Sequence, residues 1–241
     1  MGGKPGIRYR FGMTDAFDSL VSIWPAAGLR VRAGDLELRW PDDDLLVKLA
    51  AVASRGVHDP DRMPFNFPWT RGTELEVARN VLTYQWSVRK RVEPKDLLLE
   101  LAVLVDGEPV GMQGAGGRNW DVLHEVETGS WLGREFHGRG IGTRMRVLML
   151  HLLFAGLGAE HVTSTAMQDN PESNAVSLKA GYEPDGILRD VRDGAPIEVN
   201  RWRMTRARWE SLREDHARIL GTPVESDGVE AVRAALQSPA E

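Results

Sequence analysis

The chain contains no cysteine. Disulfides, thiolate metal sites and a covalent intermediate on sulfur are excluded, so any group transfer is direct or uses another nucleophile. Long apolar runs are missing too, and nothing approaches the roughly 18 residues that a membrane span requires. The opening Met1-Gly2-Gly3-Lys4-Pro5-Gly6 lacks the apolar stretch of a signal peptide. A cytoplasmic location with no membrane partner is the expectation. Positive charge is not in excess: 30 Lys and Arg against 35 Asp and Glu leave a net charge of −5. No basic surface is therefore expected to hold nucleic acid, and a mildly acidic field suits a cationic partner better. The acidic run Asp42-Asp43-Asp44 is not followed by an oxygen-ligand loop of calcium spacing. It reads as the charged first turn of a helix, and no metal site is expected.

Glycine, by contrast, is concentrated where it matters. The run Trp131-Leu132-Gly133-Arg134-Glu135-Phe136-His137-Gly138-Arg139-Gly140-Ile141-Gly142-Thr143 reads as a strand, a glycine-rich turn and the opening of a helix. Such a turn presents backbone N–H groups with no internal partner, and the helix dipole adds partial positive charge at the same place. Together they make an anion site suited to a diphosphate. A dinucleotide fingerprint fails because the third glycine comes one residue too early. A nucleotide P-loop fails because Arg139 and Gly140 replace its Lys and hydroxyl, leaving no Mg²⁺ ligand.

The segment His137-Gly138-Arg139-Gly140-Ile141-Gly142 resembles the pyrophosphate loop of the GNAT superfamily of acyl-CoA-dependent N-acyltransferases, with His where that family usually has Gln or Arg. Asn170-Pro171-Glu172-Ser173-Asn174-Ala175-Val176-Ser177-Leu178-Lys179-Ala180-Gly181-Tyr182 resembles the Asn-x-x-Ser-x-x-Val-x-x-Lys-x-Gly-Phe/Tyr segment of the ribosomal-protein N-terminal acetyltransferase branch. Glu127-Thr128-Gly129-Ser130-Trp131-Leu132 is similar to that branch's Glu-x-Gly-Tyr-Trp-Leu strand. The three pieces occur in the family's order. The resemblance implies an α/β fold, GNAT-like, with a mixed and partly parallel central sheet flanked by helices. It implies transfer of an acetyl or succinyl group from acetyl-CoA or succinyl-CoA directly to a primary amine.

The order of elements is consistent with that fold. Leu36–Trp40 alternates like a strand, and Asp42 to Asp44 open a helix through about Ser54. Pro60, Pro64 and Pro68 alternate with Met63, Phe65, Phe67 and Trp69. This stiff loop is expected either to pack over the core or to wall the acceptor pocket. Leu75, Ala78, Leu82 and Trp86 give a helix from about Thr73 to Arg91 its apolar spacing. Leu97–Val105 and Pro109–Gln113 form a hairpin across Asp106-Gly107. His124–Leu132 is the next strand. The helix opening at Gly138 carries Ile141, Met145, Leu148 and Leu152 on one face, which is core spacing. Val162–Gln168 is a strand and Glu172–Lys179 a short helix closed by Gly181. A last hairpin pairs Ile187–Val191 with Val199–Met204 across Asp193-Gly194, and a helix follows from about Ala207. Residues 1–28 are expected to be a flexible leader, with Met13 as an alternative start. Residues 29–212 form the acyltransferase domain, and 213–241 a helix end and mobile tail.

Roles follow from the resemblance. Gly138, Arg139, Gly140, Ile141, Gly142 and Thr143 would hold the donor's pyrophosphate, with His137 as a phosphate contact. Backbone groups at Trp131 and Leu132 would bond the pantetheine arm and polarise the thioester carbonyl. Asn170 would fix the same arm, and Ser173 would meet the departing sulfur. Glu127 shares a strand face with Glu125, Gly129 and Trp131 and is a candidate base, as is Glu198 on the last hairpin. Ser177 stands where many superfamily members carry a tyrosine acid. A protein N-terminus, a lysine and a small-molecule amine are all compatible acceptors, and a homodimer is expected from the branch. The alternative is a non-catalytic acyl-CoA-binding sensor or scaffold. Loss of the acid/base set would favour that alternative; Glu127 and Ser173 are both present.

Overall fold

The computed structural model describes residues 19–237, so the proposed leader residues 1–12 and the alternative start at Met13 lie outside the described residues. The chain enters through α1 (Leu20–Ile23) and a 3₁₀ turn at Pro25–Gly28, then forms β1 (Arg30–Ala33) and β2 (Leu36–Arg39). α2 (Asp43–Ser54) follows, capped by the Asp42 carboxylate on the Leu45 N–H at 2.8 Å. α3 (Glu74–Val88) opens with a reciprocal capping box between Thr73 and Glu76. β3 (Asp96–Val105) and β4 (Glu108–Arg118) make the long hairpin, with Asp106 and Gly107 both at positive φ (50° and 82°). That pair of signs is the hairpin turn whose twist matches its strands.

After the short α4 (Trp120–Leu123) come β5 (Glu125–Leu132), α5 (Ile141–His151), β6 (His161–Met167) and α6 (Pro171–Lys179). α5 continues into one π turn, Leu152–Leu157, and ends at Gly158 in the left-handed region. β7 (Glu183–Arg192) and β8 (Ala195–Thr205) form the second long hairpin, and α7 (Arg206–Ser211), α8 (Arg213–Leu220), β9 (Glu225–Asp227) and α9 (Val229–Gln237) complete the described chain.

The nine strands among the described residues form one sheet in the order β7-β8-β6-β5-β4-β3-β2-β1-β9. Every neighbouring pair is antiparallel except β5 with β6, which the α5 crossover makes parallel. One face is covered by α5 and the C-terminal helices. There Ile141, Met145, Leu148 and Leu152 are all buried, as their spacing predicts. The other face is covered by α2 and α3, with Leu45, Leu46 and Leu49 against Ala102, Leu104 and Met112.

Three expectations need correction. α3 buries Val77, Val81, Gln85 and Val88, while Leu75 and Trp86 are 66% and 52% exposed. The helix carries two apolar stripes, and α2 selects the β-branched one, with Val77 and Val81 packed on Ala50 and Ala53; Leu82 lies partly buried between α2 and the sheet. The stretch read as a mobile tail carries structure. β9 adds to the sheet edge at β1, and α9 buries Val229, Val232 and Leu236. Upstream, Ala26 inside the supposed leader is buried in the same core.

Candidate active site

The site begins where two strands part. β5 pairs with β6 only from Glu125↔His161 to Thr128↔Ser164. β5 nevertheless stays on β4 as far as Leu132↔Gly111, and β6 stays on β8 as far as Met167↔Val199. A fork therefore opens between residues 129–132 and 165–167, leaving edge backbone groups without a strand partner. Buried polar groups of this kind need a partner, and an extended amide-bearing arm can supply it.

A buried polar network supports the fork from the α5 side. Gln113 is fully buried and donates to the carbonyls of Gly129 and Gly114 at 2.9 and 3.2 Å. The Arg146 guanidinium bonds Ser164 Oγ at 2.9 Å and Ser130 Oγ at 3.3 Å, so one side chain reaches both diverging strands. It lies 5.9 Å from the Tyr182 ring, whose hydroxyl bonds Thr128 at 3.0 Å. Burial raises the Tyr182 phenol pKa. Arg146 is itself buried, and among the described residues no carboxylate bonds it. An arginine stays charged at any working pH, so it adds positive potential beneath the fork.

The glycine turn closes the wide end. Gly133 N–H is held by the Val110 carbonyl at 2.9 Å, and a 3₁₀ turn spans Arg134–Phe136. Gly138 and Gly140 then adopt φ of 74° and 76°, and a Cβ at either would meet nothing within 4 Å. Gly140 caps α5, whose first recorded helical bond runs from Arg144 N–H to the Gly140 carbonyl at 3.2 Å. The amides of Ile141, Gly142 and Thr143 precede that bond and are the orphan donors of the helix start. Open space and free donors together fit a diphosphate. The His137 Nε2 bonds the Leu132 carbonyl at 3.1 Å, tying the turn back to the strand end. Arg139 lies over the Phe136 ring at 5.6 Å and is exposed.

The proline-rich loop crosses the fork as a strap. Phe65 and Trp69 pack ring to ring, and Trp69 stands 5.7 Å from Trp131, so the loop does pack on the core, while Phe67 is 74% exposed. Its far side is pinned to α6 and the β7–β8 hairpin. Arg62 bonds the Glu172 carboxylate and the Asp169 carbonyl, Asn66 bonds Asp190, and Arg71 bonds Asp193. Arg192 bonds both Asp169 and the Met63 carbonyl. Arg62 beside Glu172, and Arg192 beside Asp169, hold both carboxyls below the usual carboxylate range.

The candidate acid/base residues do not all converge. Glu127 is exposed on the α2/α3 face and accepts the Thr165 hydroxyl at 2.5 Å. Glu198 is exposed near the start of β8, and strand alternation puts it with Asn200, which bonds Asn174 of α6. It therefore stands on the opposite face from Glu127. Asn170 caps α6, its Oδ1 accepting the Ser173 N–H at 3.1 Å. That oxygen is thus occupied by the helix. Ser173 is half-buried at the first turn, and its hydroxyl makes no hydrogen bond among the described residues. Ser177 is fully buried with an unpartnered hydroxyl, away from any solvent-facing acid role.

Sequence reasoning missed Gln113 and Arg146, because neither carries a motif and the second sits in a helix read as core. It also missed Glu100 on β3. The available signal was a single carboxylate inside an otherwise apolar strand. Among the described residues, no group of three or more His, Asp or Glu side chains is placed to hold a metal ion.

A parallel pair that forks beside a glycine-capped helix suits a ligand with an extended amide-bearing arm and a diphosphate. The chain belongs to the GNAT acetyltransferase family: residues 35–183 match the model of the acetyltransferase (GNAT) domain. Over 93 residues it is 32% identical to YdaF of Bacillus subtilis (strain 168), which is named as a ribosomal N-acetyltransferase. That alignment covers 38% of this chain and 50% of the relative, so the chain spans about half the length of the curated relative it matches. Mycobacterium smegmatis RimJ, solved with a CoA disulfide, superposes with a TM-score of 0.64 at 20% identity, covering 80% of this chain and 95% of the other. RimL, the ribosomal L7/L12 alpha-N-protein acetyltransferase solved with coenzyme A, gives 0.58 at 18% identity, covering 73% and 97%. At these identities the structural likeness is one of fold.

Proposed function

We propose that the protein transfers an acetyl group from acetyl-CoA directly to a primary amine, and that the amine belongs to a protein N-terminus. The observation that carries this reading is the fork beside free helix-start amides, which suits an extended arm ending in a diphosphate. The names of the relatives support the ribosomal-protein class of acceptor. In the same reading succinyl-CoA is a second donor, the chain works in the cytoplasm, and two copies pair.

Gly138 to Thr143 hold the pyrophosphate through backbone N–H groups, with Arg139 beside them and His137 bracing the turn. The open edge at Trp131 and Leu132 holds the arm and orients the thioester carbonyl. Holding two reactants in register is worth ~7–11 kcal/mol of a transfer barrier. Glu127 takes a proton from the nitrogen as it attacks, and the free Ser173 hydroxyl meets the departing sulfur. Glu198 stands on the far face and serves as the second candidate. The proline-rich strap walls the acceptor side.

A thermal-shift titration with acetyl-CoA and succinyl-CoA, using ATP and NAD as controls, tests the donor. A ligand at ~100 times its dissociation constant adds ~2.7 kcal/mol, which raises the midpoint visibly. The expected result is stabilisation by acyl-CoA alone, followed by acyl transfer to an N-terminal peptide. An equal shift with ATP, or none with either acyl-CoA, overturns the reading. Binding without transfer to any amine makes the protein a sensor.

A further inference from the structure

On the α2/α3 face, the row that meets the fork is Glu100 of β3, Gly114 of β4 and Gly129 of β5. The next row is Leu98, Gly116 and Glu127. Three glycines thus floor the sheet beside the point where β5 leaves β6. A Cβ on Gly129 would meet nothing within 4 Å, whereas one on Gly114 would lie 2.6 Å from Glu100 Oε1. The Glu100 carboxylate therefore lies across β4, over the missing side chain, towards Gly129. Tyr84 holds it there with a hydroxyl bond of 3.1 Å, and Gln85, the next residue on α3, lies beside it. Trp131 shares this face of β5.

Resting on the N-acetyltransferase reading above, we propose that Glu100 is a further catalytic carboxylate: it receives the acceptor as an ammonium ion over the glycine floor and takes its first proton. The nitrogen–acyl bond then forms as the carbon–sulfur bond breaks. The proton on Glu100 passes to water. A second proton, taken by Glu127, balances the one the thiol gains. The acceptor is thereby a cationic amine, met on two sides by carboxylates.

Burial pushes the Glu100 carboxyl up to about 7, against the polar side chains of Tyr84 and Gln85 that favour its ionised form. The other titratable and charged groups around it are Tyr84 and Arg89 at α3, with Arg91 acting on Tyr84, and Glu127 in the next row. α2 packs Leu45, Leu46 and Leu49 against this face, and its Asp43 pairs with Arg89 at 2.7 Å. A carboxyl so raised is protonated, and idle as a base, below that pH.

The test is kcat/KM for an amine acceptor from pH 5.5 to 9 in wild type, Glu100→Gln and Tyr84→Phe, with acetyl-CoA affinity measured alongside. Wild type should lose activity as pH falls through about 7. Glu100→Gln should lower kcat/KM by ~10²-fold and abolish that limb, with donor affinity unchanged. Tyr84→Phe removes a bond to the ionised carboxylate, so its limb should move to higher pH, an effect a purely structural tyrosine does not produce. An active wild type whose limb survives Glu100→Gln overturns the Glu100 assignment alone. If Glu100→Gln does not fold, an unmoved limb in Tyr84→Phe overturns it instead. A wild type that transfers to no amine overturns the N-acetyltransferase reading and Glu100 with it.

Discussion

Glu127 shows how one carboxylate on a strand takes its role from its neighbours. Its Oε1 receives the Thr165 hydroxyl from the strand across the fork, yet the side chain remains exposed. It is therefore oriented without being closed to a substrate. Glu127→Gln should keep that orientation, since an amide oxygen still accepts the hydroxyl, while losing basicity. We expect turnover at saturating donor to fall ~10²-fold or more with donor affinity unchanged, as read by steady-state kinetics beside the thermal-shift titration. Turnover equal to wild type across pH 6–9 would remove Glu127 from the mechanism. Its position was legible because strand alternation and the resemblance both point to it. Glu100 was not. A lone acid in Leu97–Val105 is visible, but that it lies over Gly114 depends on a cross-strand register that no local pattern reveals.

At the scale of elements, local chemistry was read most reliably. Asp42 caps α2, and the Asp-Gly pairs at 106–107 and 193–194 turn both long hairpins. The capping box of Thr73 and Glu76 at α3 is equally local, although it was not read from the sequence. Each of these depends on two to four consecutive residues. The face that α3 buries was misread, because two apolar stripes compete and only the neighbouring helix α2 chooses between them. The glycine turn is likewise local, and it carries its own prediction. Gly140 sits at φ of 76° with open space where a Cβ would be, so the obstacle to a side chain there is backbone strain rather than crowding. Gly140→Val should distort the turn at a cost of ~1–3 kcal/mol. Acetyl-CoA affinity should weaken by roughly an order of magnitude or more, measured by calorimetry. Wild-type affinity in that variant would take the turn out of donor binding.

For the whole molecule, the ends of the described chain matter more than their composition suggests. β9 and α9 close the sheet edge at β1, burying Val229, Val232 and Leu236 against the α5 core. A chain ending at Gly221 gives up three buried side chains, each worth ~1.5–3 kcal/mol at most. Its unfolding midpoint should drop by about 10 °C or more in a thermal melt. An unchanged midpoint would mean that the last strand and helix contribute nothing to the core. What this sequence determined by itself was the set of local devices: caps, hairpin turns, the anion-ready glycine turn and the helix face of α5. The tertiary structure alone decided where β5 and β6 part, that Arg146 reaches both strands beneath the fork, and that Glu127 and Glu198 stand on opposite faces. The physical reason is range. Caps and turns are set by dihedral preferences and hydrogen bonds within a few residues, whereas register and facing are set by the packing of segments far apart in the chain.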